Sequence, residues 1–327
     1  MLATEPWAFL GCASFEPRWD AFATRSHKYG CRPNTAAVLQ PSNPDSRWAA
    51  ECSAIQQQNW QNSIINTEWA AQEHAITLPL PMTWSQAVDV VDACRVKDAS
   101  GTLVVDITTM PRSSFFPLIK AALESTAFHT VIATYSEPMK YHEGDLATEP
   151  TNVSILAGFD TLRSGPGLAR QEAAWIPILG FGPQFLTAVF EALVDTYEIG
   201  ARIYPVIGFP GFDPRFFERA LSDSSQTILN SLRREGTLGN QFIYAAAPDP
   251  FDTATALNRV VEASTDTLAW LGTPTGPKPM ALGMLLAALR VPITVLVAPP
   301  RSYHPKYSAG SRATHAYLLK RRGTACY

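Results

Sequence analysis

Charge is sparse in this 327-residue chain: 17% of its residues are Asp, Glu, Lys or Arg, and the net charge is −3. So nearly neutral a surface offers no global attraction to a nucleic-acid polyanion. Lysine is scarcer still, with 7 lysines to 19 arginines (7 + 19 = 26). Either a GC-rich genome or a use of the planar guanidinium fork on anions accounts for that bias. The five cysteines (Cys12, Cys31, Cys52, Cys94 and Cys326) are odd in number and show no CxxC or Cys/His ligand spacing. A disulfide framework and a structural zinc site are therefore not expected, and a reducing compartment fits best. No apolar run reaches the roughly 18–20 residues that span a bilayer. Met1–Pro6 shows no basic stretch leading into an apolar one, so no secretion signal is read. The expectation is a soluble cytoplasmic protein with no membrane partner. Enzyme signatures are missing as well: there is no Gly-x-Ser-x-Gly, no His-Glu-x-x-His, no Walker loop, and no Gly-x-Gly-x-x-Gly after the first apolar run. No cofactor and no metal site are predicted, and the catalytic residues are left unassigned.

What the chain does have is an apolar fraction of 46%, enough for a real core, and a length beyond the roughly 250–300 residues at which single cores stop growing. Short apolar runs alternate with helical stretches. Trp7–Gly11, Thr35–Gln40, His74–Leu78, Thr102–Ile107 and Thr130–Tyr135 read as strands. Arg47–Asn66, Trp84–Ala93 and Ser114–Leu123 read between them as helices, and Pro41–Asp45 as a turn. After Gly165-Pro166-Gly167, a linker by composition, the alternation resumes from Trp175–Gly180 to Ile293–Ala298 and closes in a basic, partly apolar tail, Ala313–Arg322. Strands alternating with helices predict an α/β fold with mostly parallel, doubly wound sheets.

The two halves also echo each other. Val104 to Arg112, running into Ala121-Ala122-Leu123, is echoed by Leu268 to Lys278, running into Ala287-Ala288-Leu289, and from Arg112 and Lys278 onward the offset is constant (278 − 112 = 287 − 121 = 166). Downstream, Tyr141-His142 is echoed by Tyr303-His304, with only four residues lost (303 − 141 = 162). The repetition predicts two tandem Rossmann-like units, 1–165 and 166–327, related by a pseudo-twofold axis with a shared cleft. One further echo is out of register. Gly-x-x-x-Phe-acid-Pro-Arg-aromatic occurs at Gly11–Trp19 and Gly208–Phe216, offset by 215 − 18 = 197. Either the strand count slips, or the motif is a recurring strand-to-helix device.

In open parallel sheets ligands bind beyond the carboxyl ends of the strands, against helix N-termini. The residues expected there are Ser14 and Arg18, Thr108, Thr109 and Arg112, Tyr141, Arg215, Thr275, Gly276 and Lys278, and Tyr303 and His304. Hydroxyls and cations suit an anion, small residues leave room for a phosphate or a base, and the rings suit stacking on a base. Each has a plainer reading: Lys278 solvated at a Pro-rich helix entry, the arginines paired with their acidic neighbours, the rings packed in the fold. Asp106, at a strand end, is the best candidate acid, although such a residue more often caps the following turn.

Asp106, Thr108 and Arg112 form an [Asp/Asn]-x-[Ser/Thr]-x-x-x-[Arg/Lys] pattern after a central strand, and Thr275-Gly276-Pro277-Lys278-Pro279-Met280 resembles a glycine-containing variant of it. This is similar to the signature of CARF-type Rossmann domains, the ligand sensors of type III CRISPR effectors, and of the SAVED proteins that fuse two such units. About ten residues of each unit match. The second unit departs from the pattern, with Gly272 in place of the acidic residue and Pro274 in place of the hydroxyl. The resemblance implies a sensor that binds a nucleotide or cyclic oligonucleotide in antiphage defence and acts through an effector protein, with a homo-oligomer as one possible state. Two alternatives stand beside it: a phosphodiesterase-like, ring-nuclease-type enzyme that degrades such a signal, and a non-catalytic structural subunit of a defence complex.

Overall fold

The computed structural model describes residues 5–41, 48–69, 75–76, 81–95, 101–150, 152–162, 172–196, 202–235, 242–264 and 269–327. The turn read at Pro41–Asp45 beyond its first residue, and the linker Gly165–Gly167, lie outside them. The chain divides into two compact units, Met1–Thr148 with Arg301–Tyr327, and Glu149–Pro300.

The first unit runs β1 (Trp7–Cys12), α1 (Ala21–Lys28), β2 (Thr35–Leu39), α2 (Ala49–Gln61), α3 (Ile64–Thr67), β3 (Ala75–Ile76), α4 (Trp84–Ala93), β4 (Gly101–Asp106), α5 (Arg112–Glu124) and β5 (Phe128–Tyr141). In β1 and β4 every residue is buried, as unbroken apolar runs become when helices cover both faces of a parallel sheet. Trp7, Phe9, Phe22 and Trp69 pack as a core of rings. Helix α4 starts on a capping box between Thr83 and Gln86. The second unit runs β6 (Ser154–Ile155), β7 (Ala173–Ile178), α6 (Pro183–Thr196), β8 (Val206–Gly208), α7 (Pro214–Glu235), β9 (Ile243–Ala245), α8 (Pro250–Ala263), β10 (Ala269–Pro274), α9 (Lys278–Ala288) and β11 (Ile293–Val297). Its core gathers Trp175, Phe190, Leu186, Val189 and Leu193.

The two sheets share one topology. In the first, β5-β4-β1-β2-β3 are parallel neighbours; in the second, β11-β10-β7-β8-β9 are. Counting only these parallel strands, both orders are 3-2-1-4-5, the Rossmann arrangement, with its switch point between the first and fourth strands. The α/β class and two-unit, mostly parallel organisation expected from the sequence are therefore observed. The repeat is visible in the coordinates: β7 starts and ends 166 residues after β1 (173 − 7 = 178 − 12 = 166). Helices α5 and α9 follow N-cap prolines Pro111 and Pro277 with φ −57° and −55° and ψ 148° in both. In this register Trp175 matches Phe9 rather than Trp7.

The unit boundary differs from the one expected at 165/166. Residues 301–327 return to the first unit, where β12 (Ser308–Arg321) pairs antiparallel along β5 and β13 (Thr324–Ala325) closes the edge. The segment read as a basic tail is thus a long strand, and composition hid this because only some of its residues face the core. The strand count around the Phe-acid-Pro-Arg motif was sound. The motif follows the first strand in one unit and the second strand in the other, so it is a recurring device.

Candidate functional site

The turn after β4 is held from inside. The Thr108 amide donates to Asp106 Oδ1 at 2.9 Å, the Thr108 hydroxyl donates to the same oxygen, and the Ser136 amide donates to Thr108 Oγ1 at 2.9 Å. Asp106 and Thr108 are buried, so this acid and hydroxyl organise a turn and do not face a ligand. The Thr109 hydroxyl donates to the carbonyl of Cys12 at the end of β1, at 2.9 Å. In the second unit the Thr275 hydroxyl donates to the carbonyl of Ile178 at the end of β7. Both ends of this brace repeat at 166 (275 − 109 = 178 − 12 = 166). Thr109 and Thr275, expected at an anion, tie the fourth strand's turn to the first strand across the switch point.

Gly276 serves the same closure. A Cβ on it would sit 2.5 Å from Ile178 Cγ2, and one on Gly180 would sit 2.3 Å from the Thr275 carbonyl oxygen. Backbone packs on backbone here, and the glycine admits a neighbouring loop.

Arg18 is 3% exposed. It pairs with Glu16 (3.0 Å), donates from Nη1 to the Ser136 carbonyl (2.7 Å), and lies within 3.3 Å of the Ser308 hydroxyl, which itself donates to Glu16. Its guanidinium lies over the Tyr135 ring at 5.6 Å. Burial by itself disfavours the cation, but Glu16 and the phenols of Tyr135, Tyr141 and Tyr307 more than offset that, so Arg18 stays protonated. Expected at a cleft, it instead pins β12 to β5. Ser14 is similarly engaged: its hydroxyl accepts from the Glu16 amide and its carbonyl from Asn59. The second copy of the motif is quite different, with Arg215 exposed and bound bidentately to Asp213.

Both Tyr-His pairs lie in the first unit. Tyr141 ends β5, its ring 5.8 Å from that of Tyr307, which is 5.7 Å from Tyr303. The His142 and His304 rings stack at 4.2 Å, and Trp48 meets His304 edge-on. The boundary expected at 165/166 would put one pair in each unit, but residues from Arg301 onward belong to the first unit, and the two copies pack on each other. Burial raises the phenol pKa of Tyr303, against the influence of Arg112. Burial raises that of Tyr307 too, helped by Glu16 and Tyr303 and opposed by Arg112 and Arg18.

The N-terminus of α5 follows the β4 turn at the same sheet edge. Arg112 is its first residue, and neither an acidic side chain nor a side-chain cap occupies the first turn. Such a helix start favours negative charge. Ser113 and Ser114 are buried in that turn, and the Ser114 hydroxyl makes no hydrogen bond among the described residues. Lys278 holds the matching place on α9. Among the described residues no group of three or more His, Cys, Asp or Glu side chains is placed to hold a metal, and no helix is long and apolar enough to cross a membrane. The sequence reading named Glu16 only as the neighbour Arg18 would pair with, as it does, and missed Tyr135, Tyr307 and Ser308. No local spacing signals these three, which converge where β12 pairs with β5.

No known protein family and no curated protein matches the chain. A solved structure with which it aligns, a protein of unknown function from Pseudomonas aeruginosa PAO1, is 9% identical over 92% of this chain and 94% of that one, at a TM-score of 0.24.

Proposed function

We propose that this protein is a sensor or regulatory subunit that binds a nucleotide or cyclic-oligonucleotide-type anion at the strand-end edge of its first unit and passes the signal to a separate effector protein, in prokaryotic antiphage defence. One observation carries the reading. At the switch point of a Rossmann sheet, α5 begins with Arg112, without an acidic residue or a side-chain cap in its first turn, where backbone N–H groups and a guanidinium favour a phosphate. The hydroxyls of Thr108 and Thr109 and the Arg18 guanidinium are engaged internally, so they make a rigid frame for that helix start. The Asp-x-Thr-x-x-x-Arg resemblance supports the nucleotide class.

Titration calorimetry with cyclic and linear oligoadenylates tests this. Binding should appear, and Arg112→Ala should weaken it by about 1.5–3 kcal/mol, the scale of hydrogen bonds to charged groups. Lys278→Ala in the same assay measures what the second unit adds. Chromatography of the mixtures decides between sensor and ring nuclease: intact ligand keeps the sensor, and multiple turnovers replace it with the enzyme. No binding to any nucleotide leaves a structural subunit.

A further inference from the structure

Two large apolar side chains of the second unit touch each other while facing solvent. Phe209 and Tyr244 are each 58% exposed, and their ring centroids lie 6.4 Å apart. Phe209 follows β8 and meets Phe217, in α7, edge-on at 5.5 Å. The Phe209 amide donates to the Ala245 carbonyl, and the Ala247 amide to the Pro210 carbonyl, so the rings sit beside the loop that starts α8. Exposed aromatic surface of this kind marks an interaction site. We propose that this face docks an extended, arginine-bearing segment of a partner protein, an inference that goes beyond the nucleotide reading and does not rest on it.

Charge selects the arginine. Glu218, beside Phe217, and Asp249 and Asp252, at the start of α8, are exposed. None of the three pairs with a cationic side chain among the described residues. Asp249 and Asp252 each accept backbone amides through one carboxylate oxygen, which leaves the other to a cation. The two arginines of this stretch are engaged within the unit, Arg215 by Asp213, and Arg219 by Asp223 and the Phe181 ring. Such a face repels a phosphate and suits a guanidinium, whose plane stacks on a ring while its N–H groups reach a carboxylate.

The backbone selects an extended segment. β9 is the outermost of the described strands on its side of the sheet. The Ile243 amide donates to the Pro205 carbonyl at 2.8 Å, and the Ala245 carbonyl accepts from the Phe209 amide at 2.8 Å. Tyr244, between them, turns its own N–H and C=O away from β8. No charged residue lies between Gln241 and Pro248, so β9 lacks the lysine that often guards an edge. An added strand would pair with Tyr244 and carry its alternate side chains over the rings.

The test is fluorescence anisotropy of the full chain with a labelled peptide of alternating arginine and valine, beside the same peptide with glutamate for arginine. Only the arginine peptide is expected to bind. Phe209→Ala and Tyr244→Ala should each weaken it roughly two- to fivefold, the scale of an exposed cation–π contact, and Glu218→Gln should weaken it as well. All three side chains face solvent, so the melting temperatures should hold. Methylating one alternate set of peptide amides should weaken binding and methylating the other should not, because only one edge of the peptide meets β9. Arginine-peptide binding left unchanged by Phe209→Ala and Tyr244→Ala reduces the attraction to bulk charge and overturns the inference. Equal binding of the glutamate peptide, or no binding of either, overturns it too. Binding of oligothymidylate that both alanine variants abolish gives the face to a nucleic acid instead, and a dimer lost in Tyr244→Ala gives it to a second copy of this chain.

Discussion

At the scale of single residues, burial separates structural groups from available ones. The Arg18–Glu16 pair is enclosed and shares its hydrogen bonds with Ser136 and Ser308. Removing one partner leaves an uncompensated buried charge, which typically costs about 3–5 kcal/mol. Arg18→Met should therefore destabilise the first unit on that scale, and adding Glu16→Leu should restore most of it; urea unfolding of the three proteins checks the pattern. A double mutant no better than the single would place the cost in packing instead. The cysteines differ in the same way. Burial pushes the Cys94 thiol up to about 12 from 9.0, so the native state keeps a proton that the unfolded chain releases. That contribution is fully present below pH 9 and is lost as pH rises from 9 towards 12. Stability should fall over that window and fall less steeply in Cys94→Ala. In native protein a thiol reagent should label exposed Cys326 readily and spare buried Cys12, Cys52 and Cys94.

At the scale of elements, the decisive feature is the brace between the fourth-strand turn and the first strand. Thr109 and Thr275 each contribute one hydroxyl-to-carbonyl bond, and a typical hydrogen bond is worth about 0.5–1.5 kcal/mol net. Thr109→Val and Thr275→Val should each lower stability by about that much while leaving ligand affinity nearly unchanged. A selective loss of binding in either variant would return that hydroxyl to the ligand. Gly180→Ala drives a Cβ to 2.3 Å from the Thr275 carbonyl oxygen, and overpacking of this kind costs about 1–3 kcal/mol. The first unit has Ser14 and Met110 at the matched positions. In the sequence Gly276 marks a tight backbone approach, and only the structure shows that Ile178 and Leu179 are what approaches it. A glycine records a close approach without saying what approaches.

At the scale of the whole molecule, the chain leaves the first unit after Thr148 and re-enters it at Arg301. A fragment covering 149–300 contains every strand of the second sheet and should fold alone, giving a cooperative melt. Residues 1–148 alone lack β12, whose ladder covers β5 from Val131 to Tyr141, and should be unfolded or aggregate until 301–327 is supplied. Cooperative folding of 1–165 by itself would restore the simpler tandem boundary.

The sequence by itself determined the alternation of strands and helices, the two-unit plan and the repeat, because these rest on local periodicity and on residue-for-residue register. It also placed Arg112 and Lys278 at equivalent helix starts, since a Pro-x turn before an apolar helix is a local signal. Tertiary structure alone decided which of the expected site residues are buried in internal hydrogen bonds. The same Phe-acid-Pro-Arg motif yields a buried Arg18 and an exposed Arg215, because the first lies under β12 and the second on the open start of α7. Likewise the two Tyr-His pairs, alike as sequences, end in one unit because the return of 301–327 pairs β12 with β5. Burial and strand pairing join residues far apart in the chain: Arg18 and Ser308 are separated by 290 positions. No local pattern carries that information.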